Sequence, residues 1–178
     1  MFASQSPALG LTIISDFITV EEEITLLTHV TLLSSKKHKK VPTRNAIYRY
    51  GSRVPYFDNI VSPTIPDYFL PVCQQLVAQA LLVTVPDSIT VNEYYTGQVI
   101  KPHIDHIKAG PIITILSLGA SATMEFARQD QQFSVELFPR SLAQLRSEIR
   151  YDWTHAIAPV PGLRYSLVFR DSASCALT

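Results

Sequence analysis

Cysteine is scarce: Cys73 and Cys175 are the only two in 178 residues. Two cysteines far apart cannot build a disulfide framework, which points to a reducing compartment. Net charge is missing as well, with fifteen basic against fifteen acidic side chains. That balance removes the simplest argument for a nucleic-acid binder, though not a local one. No apolar run approaches the ~20 residues needed to span a bilayer; PIITILSLGA at 111–120 is among the longest. The N-terminal MFASQSPALG has neither a basic n-region nor an apolar h-region, so no signal peptide is read there. Internal repeats, low-complexity tracts and linkers are absent too. What is present is 47% hydrophobic and 17% charged, the composition of a folded domain rather than a disordered chain. The expectation is one soluble intracellular domain over 1–178, cytoplasmic or nuclear, able to bury roughly two-thirds of its unfolded surface.

Two helices are legible near the N-terminus. Thr19 followed by Glu22 is a capping-box pair, and Glu21 to Glu23 suit the positive end of a helix over 18–33. Ile24, Leu27, Val30 and Leu33 recur at helical spacing and predict its buried face. A second helix is expected over about 67–82, with Pro71 near its start, where proline is least harmful. After Pro86 the texture changes to short β-branched and aromatic runs: SITVNEYY, QVIKPHID, PIITILSL, ATMEFA, QFSVEL, RYDWTHAIA and LRYSLVFR. Many short strands at close spacing predict a mainly β sandwich or barrel, with the helices packed on it.

Charge is unevenly spread. Between Lys36 and Phe57 stand seven basic residues, Lys36, Lys37, Lys39, Lys40, Arg44, Arg49 and Arg53, and no acid. Tyr48, Tyr50, Tyr56 and Phe57 are interleaved with them. A groove for a phosphate backbone and unstacked bases needs that mixture. The plainer alternative is a solvated loop around KKHKK.

His103-Ile-Asp105 is the pivot of the sequence. On an extended strand, residues two apart face one side, so both side chains can address one ion. His106 then faces away, and His155 in YDWTHAIAP is the best third ligand. Two histidines and a carboxylate form the facial set that holds non-heme Fe(II). An HxD pair alone is weak evidence, because most such pairs are structural or surface groups. A second feature stands at 164–170, where Arg164, Ser166, Val168 and Arg170 share one face of a strand. Two inward arginines carry a large desolvation cost unless they meet an anion. A dicarboxylate suits them, because the guanidinium binds carboxylate bidentately. The alternative is an edge strand with solvated arginines. Asn92 and Tyr94 offer an amide and a phenol toward the same cavity, or else form a buried polar pair.

Taken in order, Asn92-x-Tyr94, Gly97, His103-x-Asp105, Pro111 to Gly119, Trp153-x-His155 and Arg164-x-Ser-x-x-x-Arg170 resemble the AlkB-type Fe(II)/2-oxoglutarate dioxygenases. The resemblance covers about 89–171, and more faintly GLTIISDFITVEEE and Tyr48 to Gly51. It implies a double-stranded β-helix, or jelly roll. It also implies that His103, Asp105 and His155 ligate iron, and that Arg164 pairs with the distal carboxylate of 2-oxoglutarate, assisted by Tyr94. Asn92, Ser166 and Arg170 would lie along the co-substrate or near the metal. The family's reaction uses O₂ and 2-oxoglutarate, releases succinate and CO₂, and hydroxylates a C–H bond; on an N-methyl group the product loses formaldehyde.

Ser166 and Val168 stand where the family's arginine motif commonly has Asn and Thr. Ser147 to Arg150 replace a glycine-containing turn, and Ala156 replaces a glycine. RYDWTHAI and RYSLVFR are similar to the branch that hydroxylates wobble uridines in transfer RNA. That branch usually carries an RNA-recognition module and a methyltransferase as well, so a protein partner would supply RNA recognition here. The implied substrate is a modified base in RNA or single-stranded DNA, approached through a lid over 36–57 that includes Lys37, Lys39, Arg44, Tyr48, Arg49, Tyr50 and Arg53. The alternatives are an oxygenase acting on a protein side chain and a non-catalytic binding module on the same fold.

Overall fold

The computed structural model describes residues 3–6, 10–35, 46–52 and 63–171. Lys37, Lys39, Arg44, Arg53 and Cys175 lie outside them. Helix α1 runs over Val20–Thr31 and opens with the expected capping box. The Glu22 N–H donates to Thr19 Oγ1 (3.2 Å), and the Thr19 N–H donates to Glu22 Oε2 (2.7 Å). Of the expected buried face, Val30 and Leu33 are buried and Leu27 packs on the core, but Ile24 is not buried. Glu23, Leu26 and Val30 point inward, whereas Ile24 is 59% exposed. A carboxylate can replace the isoleucine because both its oxygens are used. Glu23 Oε1 accepts the Gly119 N–H (2.9 Å) and Oε2 accepts Arg140 Nη1 (3.2 Å).

The second helical segment is shorter than expected. A 3₁₀ turn at Asp67–Phe69 leads into α2, Leu70–Ala78, with Pro71 in its first turn. Ala80 adopts φ +54°, and the N–H groups of Ala80 and Leu81 bond back to the carbonyls of Val77 and Leu76. This is the Schellman closure, with alanine in glycine's usual place, and it stops the helix short of 82.

Eleven strands are described: β1 (Ala3–Ser6), β2 (Leu11–Ile14), β3 (Ala46–Gly51), β4 (Ser88–Tyr94), β5 (Ile100–His103), β6 (Ile113–Gly119), β7 (Ala122–Arg128), β8 (Gln131–Leu137), β9 (Leu142–Leu145), β10 (Thr154–Ile157) and β11 (Arg164–Arg170). They form a seven-stranded sheet in the order β1-β2-β9-β6-β11-β4-β3 and a four-stranded sheet in the order β5-β10-β7-β8. Two expectations are corrected. Strand β5 ends at His103, so Asp105 lies just beyond it rather than on it. The run RYDWTHAIA is not one strand, because Ser147–Tyr151 form a short helix, α3, before β10 begins.

The core has two layers. One packs α1 and α2 on the large sheet through Leu26, Val30, Cys73, Leu76, Val91, Tyr165, Leu167 and Phe169. The other fills the space between the sheets with Ile113, Ile115, Met124, Phe126, Ile149 and Val168. Strand β11 serves both layers, since its alternate residues face opposite ways. Burial of apolar side chains on both faces fixes its register, because a slip of one residue would exchange the arginines for Tyr165 and Phe169.

Candidate active site

His103 closes β5 and sits directly across from His155 on β10, so one face of the smaller sheet presents both rings, 4.4 Å apart between centroids. The turn after His103 brings Asp105 back to them. One ligand atom from each of His103, Asp105 and His155 lies within 4.8 Å of the others. His103 Nδ1 is 2.9 Å from the Lys101 carbonyl. A carbonyl only accepts, so Nδ1 carries a proton, and Nε2 is the ring nitrogen turned to the cluster, 3.8 Å from Asp105 Oδ1. Burial pushes the His155 imidazole down to about 4, which leaves it neutral. Burial alone would raise the Asp105 carboxyl, but Arg170, His155, His103 and Arg150 together hold it below its ordinary value. Two imidazoles and one carboxylate are a donor set that suits a divalent cation such as Fe(II).

The large sheet faces this cluster with a different chemistry. Arg164 is fully buried, its guanidinium 5.0 Å from the Tyr94 ring centroid, and Nη2 donates to Ser117 Oγ (3.1 Å). Its Nε and Nη1 have no hydrogen-bond partner. A buried cation with two unpaired donors costs several kcal/mol unless an anion meets it, so the site fits a carboxylate-bearing co-substrate. Beside it, Asn92 Nδ2 donates to Ser166 Oγ (3.2 Å). Arg170 is nearer the carboxylate cluster, with Nη2 3.8 Å from Asp105 Oδ1 and Nη1 donating to Thr90 Oγ1.

A cavity of ≈ 310 Å³ joins the two groups, at the small end of the range for small-molecule sites. His103, Asp105, His155, Asn92, Tyr94, Arg164, Ser166 and Arg170 all line it. Ile113, Ile115, Met124, Ile157 and Val168 make its walls apolar.

The expected lid is only partly described. Residues 46–51 are strand β3, an edge of the large sheet, rather than a loop. Arg49 and Tyr50 line the cavity. Tyr48 does not: it shares a face of β3 with Tyr50, opposite to Arg49, and both tyrosine rings belong to the core under the helices. Trp153 is buried in the core between the sheets.

Two residues at the site escaped the sequence reading. Ser117 was only a letter in PIITILSLG, yet period-two alternation from Ile113 and Ile115 places it on their face. Arg150 was noted only as a departure from a glycine turn. It is almost fully buried and donates to three main-chain carbonyls of the segment carrying Asp105.

Over residues 28–170 the sequence matches the 2OG-Fe(II) oxygenase superfamily. A Xenopus tropicalis tRNA (carboxymethyluridine(34)-5-O)-methyltransferase, alkbh8, is 34% identical over 164 residues, 86% of this chain and 26% of that relative. The chain thus spans about a quarter of that relative's length. An uncharacterized protein of Acanthamoeba polyphaga mimivirus is 32% identical over 157 residues, covering 84% of this chain and 73% of the relative. Among solved structures, OsALKBH1 superposes with a TM-score of 0.72 at 16% identity, over 94% of this chain and 100% of the other. That likeness identifies the two-sheet sandwich as the jelly roll of these oxygenases. The chain belongs to the 2OG-Fe(II) oxygenase superfamily, whose enzymes depend on Fe(II) and 2-oxoglutarate, and it is similar in sequence to AlkB-like members of it.

Proposed function

We propose that this AlkB-like oxygenase holds Fe(II) between His103, Asp105 and His155, holds 2-oxoglutarate against Arg164, and oxidises a modified base in RNA or single-stranded DNA. The observation that carries the site assignment is the pairing across one cavity of a His–Asp–His cluster with a fully buried arginine whose Nε and Nη1 are unpaired. When bound, Fe(II) and 2-oxoglutarate supply the oxidation of a substrate C–H bond by O₂, with succinate and CO₂ leaving.

The chain's own residues bind, orient and keep the site dry. Arg164 takes the distal carboxylate of the co-substrate through its free N–H groups, while Ser117 and the Tyr94 ring fix the guanidinium plane. Asn92 and Ser166 offer polar contacts along the co-substrate. Arg170 keeps Asp105 ionised and in place. The isoleucine walls exclude bulk water, which strengthens each of these electrostatic contacts. The whole chain, 1–178, serves as one catalytic domain.

The substrate class rests on two supports. One is the similarity to a relative named for transfer-RNA modification. The other is the basic, acid-free stretch from Lys36 to Phe57, in which Arg49, Tyr50 and Ser52, among the described residues 46–52, line the cavity. Lys37, Lys39, Arg44 and Arg53 would neutralise phosphates, and a partner protein would complete RNA recognition. Incubation with bulk transfer RNA followed by mass spectrometry of its nucleosides tests this. The expected result is a hydroxylated or demethylated nucleoside with wild type and none with Asp105→Ala. Binding to that RNA should also weaken steeply with salt, because several phosphate contacts release counterions. A flat salt response together with unchanged nucleosides would overturn the nucleic-acid reading in favour of a protein substrate.

A further inference from the structure

We infer that Arg150 is a positioning residue for the metal site: its guanidinium clamps the Asp105 segment to the segment that delivers His155. This deepens the metal assignment proposed above and rests on it. Arg150 Nη1 donates to the Asp105 carbonyl (2.8 Å), Nη2 to the His106 carbonyl (2.6 Å) and Nε to the Gly110 carbonyl (3.2 Å). All three acceptors belong to the stretch that leaves β5 of the smaller sheet at His103 and crosses to β6 of the larger sheet. Ile104, Ile107 and Lys108 in it are exposed, while Ala109 is buried; the Ala109 N–H donates to the His106 carbonyl and the Lys108 N–H to His106 Nδ1.

At its other end the clamp is firmly seated. Arg150 is 1% exposed and lies on α3, which runs almost directly into β10 and His155. Ile149 buries α3 in the core between the sheets, and Glu148 pairs with Arg128 of β7. A desolvated guanidinium is an expensive way to order an exposed loop, even with its donors on three carbonyls and the Asp105 carboxylate close by. The expense makes sense where the loop must present a carboxylate at a fixed place beside two histidines, because small displacements of a ligand weaken a metal site strongly.

Charge and geometry predict opposite effects here, which makes the inference testable. Arg150 is a cation beside a cation site. If proximity of charge were its only influence, removing that charge would tighten divalent metal binding. If it acts as a clamp, removing its fork of donors weakens binding. Arg150→Ala would leave three carbonyls unpaired at once, so the informative variants are Arg150→Gln, which keeps an amide donor without charge, and Arg150→Lys, which keeps charge without the fork. Co(II) alone is titrated into each, and into wild type and Asp105→Ala, by calorimetry without co-substrate, with thermal melting in parallel. The clamp predicts Co(II) affinity lower by about ten-fold or more in both variants, with a cooperative melt retained. Unchanged affinity, or tighter binding by Arg150→Gln, overturns it. Loss of cooperative melting in both variants also overturns it, since Arg150 would then hold the core rather than the ligand segment. A wild type that binds Co(II) no better than Asp105→Ala overturns the metal assignment itself and this inference with it.

Discussion

Arg164 concentrates the chemistry of this site in one side chain. Its Nε and Nη1 are buried and unpaired, and burial lowers its pKa while Tyr94 opposes that shift. An ammonium cannot reproduce a planar fork held by Ser117 and the Tyr94 ring. Arg164→Lys should therefore raise the KM for 2-oxoglutarate ten-fold or more while Co(II) binding stays as in wild type; equal KM values would contradict the assignment. Cys73 offers a different check. Burial pushes its thiol up to about 11, so at pH 8 only about one molecule in a thousand carries the reactive thiolate. In a Cys175→Ala background, native protein should react with a thiol reagent at least a hundred-fold more slowly than protein unfolded in guanidinium.

What was legible at this scale follows from how each residue is recognised. His103, Asp105, Arg164 and Arg170 are chemistry-bearing types spaced on or next to strands, so residue type and period two suffice. Arg150 and Glu23 were not legible, because their partners are main-chain groups far away in sequence, Gly110 and Gly119 among them. Backbone acceptors leave no mark on residue identity.

At the scale of elements, local signals held where the chain itself makes the contact. Thr19 and Glu22 close their box within one turn, and removing it should cost about 1 kcal/mol. Thr19→Ala should accordingly lower the melting temperature by about 2–4 °C for a domain of this size. An unchanged melt would mean that α1 is held by packing alone. Signals that depend on neighbours misled. The apolar series from Ile24 pointed to one face of α1, but the chain buried Glu23 against Arg140 and left Ile24 in solvent. The run RYDWTHAIA looked like one strand, yet Ser147 at φ +49° turns the backbone into α3 before Trp153. The expected HxD strand ends two residues early, at His103, and the three side chains still converge because the segment to Gly110 folds back onto Arg150.

At the scale of the molecule, two antiparallel sheets supply opposite walls of one cavity, the proposed reaction site. The smaller sheet brings the His–Asp–His cluster and the larger brings the arginines, so neither half is complete without the packing of Met124, Ile115 and Val168 between them. The sandwich was foreseeable from many short β-branched runs, but the sheet order was not, since β9 lies between β2 and β6 through pairings distant in sequence. No helix among the described residues is long and apolar enough to cross a membrane.

The central claim is that this cavity turns over 2-oxoglutarate at a metal held by His103, Asp105 and His155. It is tested most directly by succinate formation from anaerobically prepared protein supplied with Fe(II), 2-oxoglutarate and then O₂, with wild type beside Asp105→Ala. The account predicts succinate from wild type and only background from the variant. Equal succinate from both would place the chemistry elsewhere, and a wild type that neither forms succinate nor binds Fe(II) and 2-oxoglutarate would contradict the site altogether.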